Sequence, residues 1–318
     1  MLTELDLIQR YFTRSTPDAV LGVGDDAALV RVNEHRELAI STDMLVSGTH
    51  FFADVDPFLL GHKALAVNLS DMAAMGAQPR WVILALSLPE ANEVWLEKFS
   101  AGFFSLADEH HVSLIGGDTT RGLLNICVTI MGEIPHGKAL RRSNAKAGDD
   151  IWVSGKLGDA ALALAHLQER VQLTTAEFSA CAPSLHQPAP RVALGIALRD
   201  IAHSTIDISD GLLADLGHIL KASCVGAEIF FSALPISSAM QLMHDEKLIQ
   251  QFVLAGGDDY ELCFTAPKTQ RAKIEQLSFN MNLPLTLIGH ITSASGCIVH
   301  AQNGQPIYLN KSGYDHFC

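Results

Sequence analysis

The stretch PHGKALRRSNAKAGDD, residues 135–150, separates two α/β patterns and so decides how the chain is organised. It is polar, basic and poor in large apolar side chains, which is typical of a segment between domains. We therefore predict an N-terminal domain over residues 1–137 and a C-terminal domain over residues 138–318.

Before this boundary, short apolar runs between Ala19 and Thr42 predict a set of strands. A helix is predicted to follow, with Asp56 as its N-cap, Pro57 at its first position and an end at Met75 before Gly76. Further apolar periodicity predicts strands over 80–88, 112–117 and 124–134 and a helix over 93–111.

The second pattern begins after the boundary. It also alternates between segments with the two-residue period of strands and segments with the roughly 3.6-residue period of helices. It predicts strands at IWVSG (151–155), TIDIS (205–209), GAEIFF (226–231), YELCFTA (260–266) and LTLIGHI (285–291). Helices are predicted over 159–171, 191–202 and 212–223. Each half of the chain is therefore expected to contain its own sheet.

Composition excludes several classes of protein. Of 318 residues, 48% are hydrophobic and 18% charged, so the chain is not disordered. Lys and Arg number 22 against 35 Asp and Glu, and the net charge of −13 argues against a nucleic-acid binder. The six cysteines form no CxxC pair, and no run of about 18 apolar residues or signal pattern occurs. We expect a cytoplasmic protein with no membrane association.

Two glycine-containing segments imitate phosphate-binding loops but lack the required context. GVGDDA, residues 22–27, fits a relaxed dinucleotide fingerprint, yet the residues after it predict strands where that fold needs a helix. GEIPHGK, residues 132–138, imitates a Walker A loop, but Ala139 replaces the Ser or Thr that would contact Mg²⁺. Neither a dinucleotide fold nor a P-loop is predicted.

The strongest chemical signal is a carboxylate beside Gly, Ser or Thr at the end of an apolar element, and it recurs six times. A single such Asp is usually a turn or helix-capping residue. Six predict a cation site, because clustered carboxylates repel one another unless a cation bridges them, and hard oxygen ligands favour Mg²⁺. The predicted substrate is a phosphate ester carried on magnesium. These acidic residues are Asp25, Asp26, Asp43, Asp71, Asp118, Asp207, Asp210, Asp258, Asp259 and Glu261.

Few cationic residues could neutralise phosphate charge. Arg121 follows GGDTT, and Arg141 and Arg142 lie in the boundary segment. His50, in SGTHF, is a candidate substrate contact, although an isolated histidine is more often structural. No HxH, HExxH or GxSxG pattern occurs, so neither a histidine metal site nor a serine nucleophile is predicted.

Eight blocks run in order through almost the whole chain: GVGDDAAL, AISTDMLVSGTHF, KALAVNLSDMAAMGAQP, LIGGDTTRG, AGDDIWVSG, IDISDGLLADLGHI, GGDDYELCF and GYDHF. Together they resemble the thiamine-monophosphate kinase family, in the superfamily of aminoimidazole ribonucleotide synthetase and selenophosphate synthetase. The resemblance implies an α/β (α+β) fold like that of aminoimidazole ribonucleotide synthetase, with an N-terminal mixed sheet that pairs across a homodimer and a C-terminal α+β domain. It also implies that ATP phosphorylates thiamine monophosphate to thiamine diphosphate.

Taken motif by motif, the resemblance implies individual roles. The catalytic residues would be Asp43, Asp71 and Arg142. Several Mg²⁺ ions, with potassium left open as a further cation, would be held by Asp26, Ser41, Thr42, Asp43, Asp71, Asp118, Asp207 and Asp210. ATP would contact Gly117, Asp118, Arg142 and Ser209, and thiamine would be bordered by His50, Asp258 and Tyr314.

One position departs from the family pattern. Asp258 stands where the family usually has Glu, so it is expected either to reach the substrate through a water molecule or to be helped by Asp259. The alternatives are another ATP-using superfamily member, a non-catalytic nucleotide-binding maturation scaffold and an acidic divalent-ion buffer. Selenium chemistry is not favoured, because the first cysteine is Cys127.

Overall fold

The computed structural model describes residues 3–317 and divides into two units, each built around one sheet. One unit takes its residues from Met1–Met72 and Ala77–Gly137, and the other from Ala73–Gly76 and Lys138–Cys318. Both sheets contain parallel and antiparallel pairs, which confirms the predicted mixed α/β class. Among the described residues, no helix is both long and apolar enough to cross a membrane.

The first unit is built on a four-stranded sheet in the order β1-β4-β2-β3. Only β2 and β3 run parallel. Its elements are α1 (Glu4–Leu7), a π-helical turn (Ile8–Phe12), β1 (Arg36–Val46), α2 (Pro57–Ala74), β2 (Gln78–Leu88), α3 (Glu93–Glu109), β3 (Ser113–Arg121) and β4 (Asn125–Pro135).

Helix α2 begins as predicted, because Asp56 accepts the N–H of Phe58 at 2.8 Å and Pro57 is the first helical residue. Glycines allow α2 and α3 to approach closely. A Cβ at Gly61 would lie 2.1 Å from the carbonyl oxygen of Phe99, and one at Gly102 would lie 1.9 Å from that of Phe58. This contact fixes α2, which carries one of the predicted magnesium ligands.

The predicted set of strands between residues 19 and 42 is wrong in its first part. Residues 19–35 form turns with isolated bridges such as Leu21 to Leu29, and only β1 is a regular strand. The Gly and Asp residues of this segment favour turns over a ladder. Its apolar side chains, including Ala28 and Val30, pack on Trp81 of β2 instead.

The second unit is built on a seven-stranded sheet in the order β11-β10-β7-β9-β5-β8-β6, in which only β7 and β10 run parallel. Its strands are β5 (Asp150–Ser154), β6 (Ser204–Asp207), β7 (Gly226–Phe230), β8 (Leu262–Ala266), β9 (Leu285–Thr292), β10 (Gly296–His300) and β11 (Pro306–Ile307). Its helices are α4 (Asp159–Leu167), α5 (Thr175–His186), α6 (Val192–Leu198), α7 (Leu212–Ser223), α8 (Ser238–Gln241), α9 (Glu246–Ala255) and α10 (Arg271–Met281).

Candidate active site

Strand β1 and helix α2 bring two predicted magnesium ligands together in the first unit. Along β1 exposed and half-buried residues alternate, so Ser41 and Asp43 share one face of the strand and Thr42 lies on the other. The hydroxyl of Ser41 donates a hydrogen bond to Oδ2 of Asp71 on α2. A hydroxyl and a carboxylate from separate elements therefore meet at this point.

Two further predicted residues lie on or just beyond β1. Thr42 shares a hydrogen bond with Thr129 of β4, with 2.9 Å between their hydroxyl oxygens. Nδ1 of His50 accepts the N–H of Val46 at 3.0 Å. The ring hydrogen of neutral His50 must therefore sit on Nε2, which makes that nitrogen the one able to donate to a substrate.

Asp118 lies on β3, at the edge of the sheet opposite to β1. The register runs from Asp43 through β4 and β2 to Gly117, so the two acidic sites are three strand spacings apart, roughly 14 Å. One Mg²⁺ ion bonds oxygens at about 2.1 Å and cannot contact both carboxylates. If both bind metal, they hold different ions, as expected for a ligand as long as a triphosphate.

Gly117, next to Asp118, is required by close packing between strands. A Cβ at this position would lie 1.9 Å from the carbonyl oxygen of Leu84 on β2. Only glycine allows β3 to approach β2 so closely, and this approach places Asp118 at its observed position.

Four predicted residues meet in the second unit, around the segment that joins β6 to α7. The N–H of Asp258 donates to the carbonyl oxygen of Ser209 at 2.8 Å, and the N–H of Tyr314 donates to that of Asp210 at 3.0 Å. Asp207, at the end of β6, is 5% exposed. The predicted nucleotide-contacting and thiamine-bordering residues of this unit are therefore neighbours.

The charge on Asp210 is disfavoured by its surroundings. Burial raises the pKa of Asp210, whereas the neighbouring His316 and His218 oppose this shift and Asp258 adds to it. A carboxylate in this environment gains most from a cation, because a bound cation stabilises its ionised form.

The three acidic side chains of the GGDDYE loop have different hydrogen-bond partners. Asp258 adopts a positive φ of 68°, and its Oδ1 accepts the hydroxyl of Tyr260 at 3.0 Å. Both oxygens of Asp259 instead accept the N–H of Gly158, at 3.0 and 3.1 Å. The carboxylate of Glu261 pairs with Arg191 and accepts the hydroxyl of Ser154. Asp259 and Glu261 thus hold the loop in place, and Asp259 is not directed to assist Asp258.

Two further predicted residues, Arg142 and Asp26, lie on segments other than those described above. Arg142 lies exposed in a short 3-10 turn whose backbone is held by Ser223, which donates its hydroxyl to the carbonyl oxygen of Arg142 at 2.8 Å. Asp26 is exposed in the 19–35 segment, where its N–H donates to Oδ1 of Asp25 at 2.9 Å.

Sequence reasoning missed one buried carboxylate beside the site, that of Asp215 on α7. Its Oδ2 accepts three backbone N–H groups from the segment that carries Ser209 and Asp210. Burial raises the pKa of Asp215 to about 7, and the nearby charge of Asp210 contributes. The available signal was an acidic residue on the otherwise apolar face of a predicted amphipathic helix, in DGLLADLGHIL.

The donor chemistry of the predicted ligands fits magnesium. Within residues 3–317, no three His, Cys, Asp or Glu side chains form a group that could hold a metal ion by themselves. Magnesium is typically bound through one or two protein carboxylates, with substrate phosphates and waters completing its coordination. The pairing of Ser41 with Asp71, both hard oxygen donors, matches that requirement.

Comparisons with known proteins agree with this arrangement of motifs. The family model described as AIR synthase related protein, N-terminal domain, matches residues 24–134. The thiamine-monophosphate kinase of Escherichia coli (strain K12) is 48% identical over 319 residues, covering 99% of this chain and 98% of the relative. The crystal structure of thiamine-monophosphate kinase from Stenotrophomonas maltophilia K279a is 48% identical and superposes with a TM-score of 0.86, covering 96% of this chain and 97% of that one. The structure described as "AaThiL complexed with AMPPCP and TMP" is 30% identical with a TM-score of 0.79, covering 98% and 96%.

Proposed function

The chain belongs to the thiamine-monophosphate kinase family, and from that premise we propose that it transfers the γ-phosphoryl group of ATP to thiamine monophosphate, giving ADP and thiamine diphosphate. The observation that supports this most strongly is the 48% identity to a named kinase across 99% of the chain. The carboxylates and hydroxyls described above supply the matching chemistry.

We assign the magnesium ligands to residues of both units. In the first unit these are Asp26, Ser41, Thr42, Asp43, Asp71 and Asp118, and in the second they are Asp207 and Asp210. Bound Mg²⁺ would neutralise the charges of the donor and acceptor phosphates, which otherwise repel each other. The residues themselves orient these anions and keep them in line for transfer.

The protein needs no strong general base for this reaction. The acceptor is the phosphate of thiamine monophosphate, which is largely ionised near neutral pH. Arg142, exposed and held by Ser223 through its backbone, offsets the charge that develops on the transferred group. Gly117 and Ser209 contact ATP, while His50, Asp258 and Tyr314 border thiamine.

We also propose that the protein is a cytoplasmic homodimer. On the exposed face of edge strand β1, three apolar side chains point to solvent, with Thr42 between the last two: Leu38, Ile40 and Met44 are 36%, 61% and 56% exposed. An exposed apolar edge strand is a template for pairing with another chain. The five described cysteines are free thiols, as expected in a reducing compartment.

Product analysis tests the function. Purified protein with Mg²⁺ and ATP should release ADP and form thiamine diphosphate when thiamine monophosphate is added, and should not do so with free thiamine. ATP binding without ADP release would support a maturation scaffold, and metal binding unaffected by ATP would support an ion buffer. Turnover with free thiamine alone would overturn the substrate assignment.

A further inference from the structure

Three consecutive backbone amides between β6 and α7 point at one oxygen atom. The N–H groups of Ser209, Asp210 and Gly211 donate to Oδ2 of Asp215 at 3.1, 3.0 and 3.1 Å. Asp215 is only 3% exposed, so water does not compete for these bonds. Hydrogen bonds to a buried carboxylate are among the stronger ones in proteins. A single side chain therefore holds all three amides of this segment.

The same peptide groups hold the thiamine side of the site. The peptide between Ser209 and Asp210 donates its N–H to Asp215, and its carbonyl accepts the N–H of Asp258 at 2.8 Å. The next peptide donates its N–H to Asp215, and its carbonyl accepts the N–H of Tyr314 at 3.0 Å. Because a peptide group is planar, fixing its N–H also fixes its carbonyl.

We propose that Asp215 is a positioning residue for phosphoryl transfer. It orients the Ser209–Gly211 segment and thereby keeps the nucleotide-contacting Ser209 and the metal ligand Asp210 in register with Asp258 and Tyr314. The inference rests on the proposed function, because the roles of those four residues come from it. Asp215 itself touches neither substrate.

A purely structural helix cap would behave differently, and the same unit provides one for comparison. Asp245 accepts the N–H groups of Lys247 and Leu248, at 3.0 and 3.1 Å, at the start of α9. That helix start carries no residue assigned to the site. Loss of Asp245 should therefore lower stability without altering the binding of either substrate.

The test compares full-length Asp215→Ala, Asp215→Asn and Asp245→Ala enzymes by steady-state kinetics and thermal unfolding. Asp215→Ala should raise KM for both ATP and thiamine monophosphate by about tenfold or more and lower kcat, because small displacements of positioned groups are costly. Asp215→Asn keeps an accepting oxygen and should recover part of this loss. Asp245→Ala should lower Tm with both KM values unchanged. Unchanged KM values in Asp215→Ala, or an equal rise in Asp245→Ala, would overturn the proposal.

Two readouts keep this test separate from that of the function itself. If Asp215→Ala does not fold, the isosteric Asp215→Asn must still show raised KM values for both substrates, and normal values would refute the role. If the wild-type enzyme fails to phosphorylate thiamine monophosphate, the proposed function is wrong. In that case the positioning role of Asp215 is tested by calorimetric binding of Mg²⁺-AMPPCP. Asp215→Asn should bind this nucleotide analogue more weakly than wild type, and equal affinity would overturn the inference.

Discussion

Ser41 on β1 donates its hydroxyl hydrogen to the carboxylate of Asp71 on α2, and so joins two residues that are 30 positions apart in the sequence. This hydrogen bond joins the helix to the sheet and also places two hard oxygen donors side by side at the edge strand. A carboxylate in that position can bind a cation together with substrate phosphates.

Loss of the Asp71 carboxylate should therefore stop the reaction while leaving the fold intact. We expect Asp71→Ala to lower kcat by at least about 100-fold, since neutralisation of phosphate charge is the main catalytic contribution. Asp56→Ala on the same helix is the control, and it should cost only about 1 kcal/mol of stability through loss of the cap. Wild-type kcat for Asp71→Ala at saturating Mg²⁺ would contradict the metal role.

Gly117 and its neighbour Gly116 on β3 provide a variant and a matched control for testing the close packing of β3 on β2 beside Asp118. Gly117→Ala places a Cβ 1.9 Å from the carbonyl oxygen of Leu84, whereas a Cβ at Gly116 meets nothing within 4 Å. We expect Gly117→Ala to lower the free energy of unfolding in urea by about 1–3 kcal/mol and to reduce activity. Gly116→Ala should stay within about 0.5 kcal/mol of wild type. Equal effects from the two substitutions would show that the approach of β3 to β2 is not tight.

Several regular elements could be predicted from the sequence, although the amphipathic helix α9 was not among the predicted helices. The predicted strand over 80–88 and helix over 93–111 correspond to β2 and α3 within two residues at each end. Helix α5 was missed because Pro183 lies inside it and its apolar periodicity is weak. The roles of Asp259 and Asp215 depend on partners folded against them, Gly158 in one case and the Ser209–Gly211 amides in the other. Residue type and spacing do not encode those contacts.

The hydroxyl of Tyr260 should influence thiamine binding through Asp258. Tyr260→Phe removes the 3.0 Å hydrogen bond to Oδ1 of Asp258 and leaves the ring in place. We expect KM for thiamine monophosphate to rise by about fivefold, as for loss of one hydrogen bond, with KM for ATP unchanged. The control is Tyr308→Phe, a site 87% exposed, which should change neither constant. A rise in KM for ATP alone would contradict the assignment of Asp258 to thiamine binding.

Stability should depend on pH through Asp159, at the start of α4. Burial raises the pKa of this carboxyl above its ordinary 3.8, although Ser237 donates a hydrogen bond to it at 2.5 Å. As the pH rises, the unfolded chain loses this proton before the folded chain does, so the unfolding free energy declines between 3.8 and the raised value. Below that pH range, the stabilisation that comes from the raised pKa of Asp159 is fully present. Asp159→Asn should flatten the decline in urea unfolding measured against pH, and an unaltered slope would argue against the shift.

We propose that carboxylates distant in the sequence hold divalent cations between two phosphate-bearing substrates. The most direct measurement is anomalous diffraction from crystals of the protein grown with Mn²⁺, in place of Mg²⁺, together with AMPPCP and thiamine monophosphate. We predict anomalous peaks within bonding distance of both the phosphate oxygens and the carboxylates of Asp43, Asp71, Asp118 and Asp210. Bound substrates whose phosphates carry no manganese at any of these carboxylates would contradict the account.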